Sequence, residues 1–279
     1  MNKMTLNYRL VFAFGFAVLL VIGQFGCATP HIAMTPDQTA QLKERLGAIG
    51  VASARFAPKV ELQTPAKGAA DAAGKGAIGG AGVILDASGN SGSGAGAIVG
   101  ILLIPVGAVV GGVGGAIMAD SAEAVNQREA VLKKALADLK VQETMRDHFI
   151  KTTQERTVFR FTRVEEEGPA VEGAIPDYRP LSEKGTKTVQ EITVKQFGLK
   201  GEGRVQPDLS MYMILQARLV NSATNEEIFN KTFSYQGEKH KFADWAANDA
   251  RLFTEEFDRC YQKLAEDVMR EIYVFNNLK

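Results

Sequence analysis

The side chains that could do chemistry in this chain are few and scattered. His31, His148 and His240 lie far apart, and none has the short spacing with which zinc ligands share an element. The stretch GKGAIG at Gly74–Gly79 has the G-x-G-x-x-G spacing of a dinucleotide loop, whose glycines let backbone N–H groups approach a pyrophosphate. Here it sits in a glycine-rich tract with no strand pattern before it. GKG also lacks the Ser or Thr that a phosphate loop places on Mg2+. Ser, His and acidic residues form no recognisable nucleophile motif. Asp244, Asp249, Glu255 and Glu256 fall in a helical stretch with basic neighbours, the composition of a solvated face rather than of an acid–base pair. The sequence therefore predicts no catalytic, cofactor-binding or metal-binding residue, and a non-enzymatic protein.

The thiol with a chemical assignment is Cys27. Lys3 and Arg9 make a positive n-region, Leu10–Ile22 is an apolar h-region of 13 residues, and a short small-residue segment follows. That is the grammar of an export signal over residues 1–26, and the h-region is too short to span a bilayer comfortably. QFGC resembles the lipobox of bacterial lipoproteins, with Gly26 as the small residue before the cysteine, while Gln24 and Phe25 depart from the usual pattern. The resemblance implies that Cys27 becomes the first residue of the mature chain and carries acyl groups. Cleavage by an ordinary signal peptidase after Ala28 is the alternative. Ala28, rather than Asp, after the cysteine implies an outer-membrane lipoprotein facing the periplasm, with a periplasmic protein as the alternative. Cys260 lies on the apolar face of a late helix and reads as a buried structural thiol. No disulfide to Cys27 is expected.

The most biased part of the chain follows. Of its 28 glycines, 16 lie between Gly68 and Gly115, and the 33 residues between Asp86 and Asp120 carry no charge. Gly92, Gly96 and Gly100 recur every fourth residue, as do Gly107, Gly111 and Gly115. On a helix each set shares one face and leaves a groove where a second backbone can approach closely. Pro105 stands between the sets, where a helix kinks or turns. The pair resembles the glycine-zipper hairpins of bacterial envelope proteins. The resemblance implies insertion in membrane lipid or self-association. A soluble hairpin packed on the main domain and a flexible linker are the competing readings, the latter suited to residues 88–96 only.

The elements around this insertion predict an α/β (α+β) fold: a small mixed sheet flanked by long helices. Thr35, Pro36 and Gly47 bracket a helix, and Ile49–Phe56 reads as a strand. From Ser121 a long helix carries Leu132, Leu136, Leu139, Met145 and Phe149. A strand with Val158, Phe159 and Phe161 follows, then a loop over residues 165–187. TVQEITVKQFGL, LSMYMILQARLV and EEIFNKTFSY are three strands, the last two joined as a hairpin by NSATNE. A helix from about Ala243 closes the chain, with Phe253, Phe257, Cys260, Leu264 and Val268 on one face and Trp245 as a core anchor. The first strand after RLG, the meander Val189–Tyr235 and the helix beginning FADWAANDA resemble the small α/β domain of the Tol-propeller amino-terminal module and the curli-export lipoprotein. The expected division is signal peptide 1–26, anchor, helix and first strand 27–66, glycine-zipper insertion 67–119 and the remainder of the α/β domain 120–279.

Lys+Arg and Asp+Glu are equal at 32 each, so the chain lacks the basic field of a nucleic-acid binder. The expected partners are membrane lipid, a second copy through the zipper, and an unknown envelope protein. A structural or pore-forming role for the zipper and an unrecognised enzyme are the alternatives.

Overall fold

The structure, a computed structural model, describes residues 34–68, 83–85, 120–203 and 205–275. Cys27 and the zipper positions Gly92, Gly96, Gly100, Gly107, Gly111 and Gly115 lie outside the described residues.

The first helix, α1 (Pro36–Leu46), is bounded as its sequence dictates. The Thr35 N–H donates to Gln38 Oε1 at 2.8 Å and the Gln38 N–H to Thr35 Oγ1 at 3.3 Å, a reciprocal cap. Gly47 ends the helix at φ +60°, where a Cβ would also meet the Lys187 side chain at 2.4 Å.

The chain then enters a mixed sheet, seven-stranded among the described residues. Its strands are β1 (Ile49–Ser53), β2 (Lys59–Leu62), β3 (Val83–Leu85), β4 (Phe161–Arg163), β5 (Thr188–Glu202), β6 (Asp208–Asn221) and β7 (Glu227–Lys241). The long strands form the antiparallel meander β5–β6–β7. Along the other edge of β5, β1 and β2 lie end to end, both parallel to it; β4 pairs with β1 and β3 with β2.

The strand expected over Ile49–Phe56 stops at Ser53, and a further strand, β2, follows it. The cause lies in β5. Its pairing with β6 steps from Val194–Leu215 to Gln196–Ile214, leaving Lys195 as an extra residue. β1 pairs with Thr188–Ile192 and β2 with Gln196–Leu199, so residues 54–58 span the bulge. The extra residue inverts the alternation of β5. Ile192 and Val194 join the main core before it, Phe197 and Leu199 after it.

The expected single helix from Ser121 is two helices, α2 (Ala122–Ala137) and α3 (Val141–Arg156), separated at residues 138–140. Leu132 and Met145 are both fully buried. Thirteen residues apart, they would sit about 1300° around one continuous helix, well off a shared face. The break brings both into one core. The strand expected around Val158 begins only at Phe161, and Val158 is 59% exposed. The expected loop 165–187 contains a short helix, α4 (Arg179–Glu183).

β7 runs straight into α5 (Phe242–Met269), which is interrupted near its start. Asn248, Asp249 and Ala250 take left-handed φ values of 51°, 54° and 61°. The main helix therefore begins after this turn. Phe253, Phe257, Cys260, Leu264 and Val268 are buried against the sheet, and Trp245 Nε1 donates to the Leu209 carbonyl at 3.0 Å. A wide turn, Arg270–Val274, follows. Helices α2, α3 and α5 thus cover one face of the sheet. Tyr178, Leu181, Val164, Ala52, Val189 and Val220 form a smaller cluster apart from that core. The fold is mixed α/β, with long helices flanking the sheet.

Candidate functional site

The described residues place the base of the glycine-rich segment with precision. The Gly68 N–H donates to the Asp120 carbonyl at 3.1 Å, so the two ends of the segment 69–119 lie side by side. Gly68 has φ +83°, a conformation glycine reaches without steric cost. Charges lock this neck. Lys67 Nζ lies 2.7 Å from Glu129 Oε2, Lys133 Nζ lies 2.5 Å from Glu129 Oε1, and Asp120 pairs with Arg128. Glu129 is 5% exposed. Burial pushes its pKa up, but the hydrogen bonds from Lys133 and Lys67 outweigh it and hold the carboxyl below its ordinary value. Upstream of the neck, the Ala66 N–H donates to the Val205 carbonyl and the Gln63 N–H to the Leu199 carbonyl, both at 2.9 Å. These bonds tie the neck to the β5–β6 hairpin. The strand β3, from within the glycine-rich stretch, extends the sheet beyond β2.

Other polar clusters are consumed by structure. Tyr212 Oη donates to Glu61 Oε2 at 2.6 Å, and Gln196 Nε2 donates to the same oxygen at 2.9 Å. Lys200 Nζ lies 4.3 Å from the centre of the Tyr212 ring. Tyr178 Oη donates to Glu191 Oε2 at 2.9 Å, and Arg218 bridges Glu191 at 3.2 Å and Glu227 at 2.8 Å. Burial, reinforced by the neighbouring carboxylates, raises the pKa of both phenols, so neither is poised as a base.

A surface cleft of about 440 Å3 lies between α3 and β4. Asp147, Lys151, Gln154, Glu155 and Arg163 contribute its polar lining. Asp147 pairs with Arg163 at 2.7 Å, and Gln154 Nε2 donates to the Phe161 carbonyl at 3.0 Å. No Ser, Cys or His is among its described lining residues.

The residues singled out in the sequence separate clearly. Cys260 is buried, with Sγ 3.6 Å from Met213 Sδ, and burial followed by the nearby Glu256 raises its pKa. It is the structural thiol its helix position predicts. His148 packs on Tyr261 and His240 edge-on against Trp245, each pair with ring centroids 5.3 Å apart. Asp249 and Glu255 are exposed, and Asp244 caps α5 by accepting from the Lys241 N–H at 3.2 Å. Glu256 does not belong to a solvated face. It is buried, accepting from Tyr235 Oη at 2.6 Å and pairing with Arg259 at 2.7 Å. Its sequence signal is its position, three residues after Phe253 and four before Cys260, on the edge of the apolar stripe. The neck residues Lys67 and Glu129 carried no sequence signal, because 62 positions separate them.

Among the described residues, no three His, Cys, Asp or Glu side chains are grouped to hold a metal ion. No described helix is long and apolar enough to cross a membrane.

No family model matches the chain, and no curated protein matches it in sequence. Among solved structures it is similar to a DUF330 protein from Xanthomonas campestris, at 10% identity and TM-score 0.32, covering 47% of this chain. The alignment spans 60% of that protein's length. A lipoprotein, GNA1162, from Neisseria meningitidis aligns at 15% identity and TM-score 0.32, over 48% of this chain and 90% of its own. A minor lipoprotein from Acinetobacter baumannii aligns at 10% identity and TM-score 0.30, over 51% of this chain and 87% of its own. Likeness at this level transfers neither family membership nor function to the chain.

Proposed function

We propose that this chain is a non-enzymatic lipoprotein of the bacterial cell envelope. Acylated Cys27 anchors it to the outer membrane, its α/β domain faces the periplasm and binds other envelope components, and its glycine-rich insertion associates with membrane lipid or with a second copy. The observation that carries the reading is the 13-residue apolar run Leu10–Ile22, preceded by Lys3 and Arg9 and followed by GCA at Gly26–Ala28. The closed neck at Gly68 and Asp120 supports the reading of the insertion as a unit set apart by its base. It holds the two ends of the segment that contains the uncharged stretch side by side.

Fractionation of the full chain and of a Cys27→Ala variant tests this. The wild type should sediment with membranes, resist a salt wash and be released by detergent. Cys27→Ala should lose the lipid yet stay membrane-bound or oligomeric through the insertion. Recovery of the wild type without detergent would overturn the anchor. Recovery of Cys27→Ala as a soluble monomer would overturn the role of the insertion.

A further inference from the structure

Between β4 and α4 the chain forms a loop whose centre, Ala170–Pro176, reads AVEGAIP. Val171 is 62% and Ile175 74% exposed, and Ala170 and Gly173 are exposed beside them. Single exposed aliphatics are ordinary on a protein surface. This pair differs in how it is held and in what surrounds it.

Both ends of the loop are pinned. The Gly168 backbone rests on Ser53 so closely that a Cβ would lie 1.8 Å from the Ser53 carbonyl oxygen. The Arg55 N–H donates to the Pro169 carbonyl at 2.8 Å, and Arg55 Nε to the Gly168 carbonyl at 3.1 Å. At the other end Asn225 Nδ2 donates to the Pro176 carbonyl, and the Tyr178 N–H donates to Asn225 Oδ1, both at 3.0 Å. A turn closes the tip, with the Ala174 N–H donating to the Val171 carbonyl at 3.2 Å. Two apolar side chains on an ordered backbone lose little conformational entropy when they are covered.

The surroundings are acidic. Residues 165–177 hold five carboxylates and no Lys or Arg. Arg163 matches Glu165 and Arg179 matches Asp177. Glu166, Glu167 and Glu172 have no ion pair among the described residues. An apolar centre with a charged margin is the anatomy of an interface core and rim.

We propose that this loop docks into a partner protein that offers an apolar socket bordered by lysine or arginine. Complementary charge at the margin steers the encounter and excludes acidic surfaces. A lipid surface would also cover the aliphatics, but a negatively charged headgroup layer repels these carboxylates. The inference rests on reading the α/β domain as a binding module and names the surface and partner chemistry that such binding uses.

The test places p-benzoylphenylalanine at Val171 or Ile175 of the full chain in its native cells, with Asn126 on α2 as the control position. Both loop positions should give a light-dependent adduct to the same protein, and Asn126 should not. The cross-linked residue on the partner should lie in an apolar patch flanked by Lys or Arg. A Glu166→Lys, Glu172→Lys double variant with an unchanged melting temperature should lower adduct yield roughly ten-fold. Adducts only to lipid or to a second copy, a partner surface without basic residues, no adduct, or no effect of charge reversal would overturn the inference. The mass of the mature amino terminus reports Cys27 processing separately, so failure of docking and failure of the lipoprotein reading are distinguishable.

Discussion

The side-chain amide of Gln142 makes the backbone hydrogen bonds that Val194 lacks at the bulge in β5. Gln142 Oε1 accepts from the Val194 N–H at 2.9 Å. Gln142 Nε2 donates to the Val194 carbonyl at 2.9 Å and to the Phe56 carbonyl at 3.2 Å. One buried amide from α3 thus satisfies both the bulged strand and the chain crossing between β1 and β2.

Gln142→Leu keeps the volume and removes all three bonds. It leaves two buried backbone groups on Val194 unsatisfied, at a cost of about 1–3 kcal/mol each. The expected loss is roughly 3 kcal/mol of unfolding free energy, read as a lower denaturant midpoint. A midpoint within error of the wild type would show that the amide does not support the bulge.

Glu129 makes stability at the neck pH-dependent. Its carboxyl is held below the ordinary 4.5 in the folded chain by Lys133 and Lys67. A depressed folded value means that the contribution is fully present above pH 4.5 and is lost as pH falls below it through the folded value. Glu129→Gln should therefore be less stable than wild type at neutral pH, by about 1–2 kcal/mol. The gap between the two stability curves should narrow as the pH falls below 4.5. A gap of constant size across this range would contradict the ion-pair account.

The neck also predicts what removal of the insertion does. Gly68 and Asp120 are joined by a backbone hydrogen bond, so a two-residue Asn-Gly turn can replace residues 69–119 without moving either end. Thermal unfolding of the shortened chain should stay cooperative, with a modest loss from the missing β3–β2 pairing. Loss of the folded signal would mean that the insertion belongs to the core.

Much of this domain was legible because local rules and packing agree. Thr35, Pro36 and Gly47 bound α1 in sequence and in structure, and the five-residue stripe from Phe253 to Val268 faces the core as its spacing requires. NSATNE turns β6 into β7. The failures share a cause. The bulge at Lys195, the split of the expected Ile49–Phe56 strand and the break between α2 and α3 are changes of phase, and hydrophobic periodicity assumes a constant phase. The angular mismatch between Leu132 and Met145 was computable from the sequence. The amide bridge of Gln142 was not, since it joins residues 52 positions apart. The neck was invisible for the same reason, and the loop Ala170–Pro176 read as plain loop because exposure is set by contacts rather than by composition.

Gly111→Leu separates insertion from self-association in the glycine-rich segment. Leu fills the groove that the spacing of Gly107, Gly111 and Gly115 implies, while raising hydropathy. Cross-linked oligomers should fall while membrane association persists. Unchanged oligomer yield would show that close helix approach at Gly111 is not used.

The account stands on Cys27, and mass spectrometry of the mature amino terminus tests it most directly. The predicted result is a chain that begins at Cys27 and carries a thioether-linked diacylglyceryl group. An unmodified chain that begins at Thr29 would contradict it.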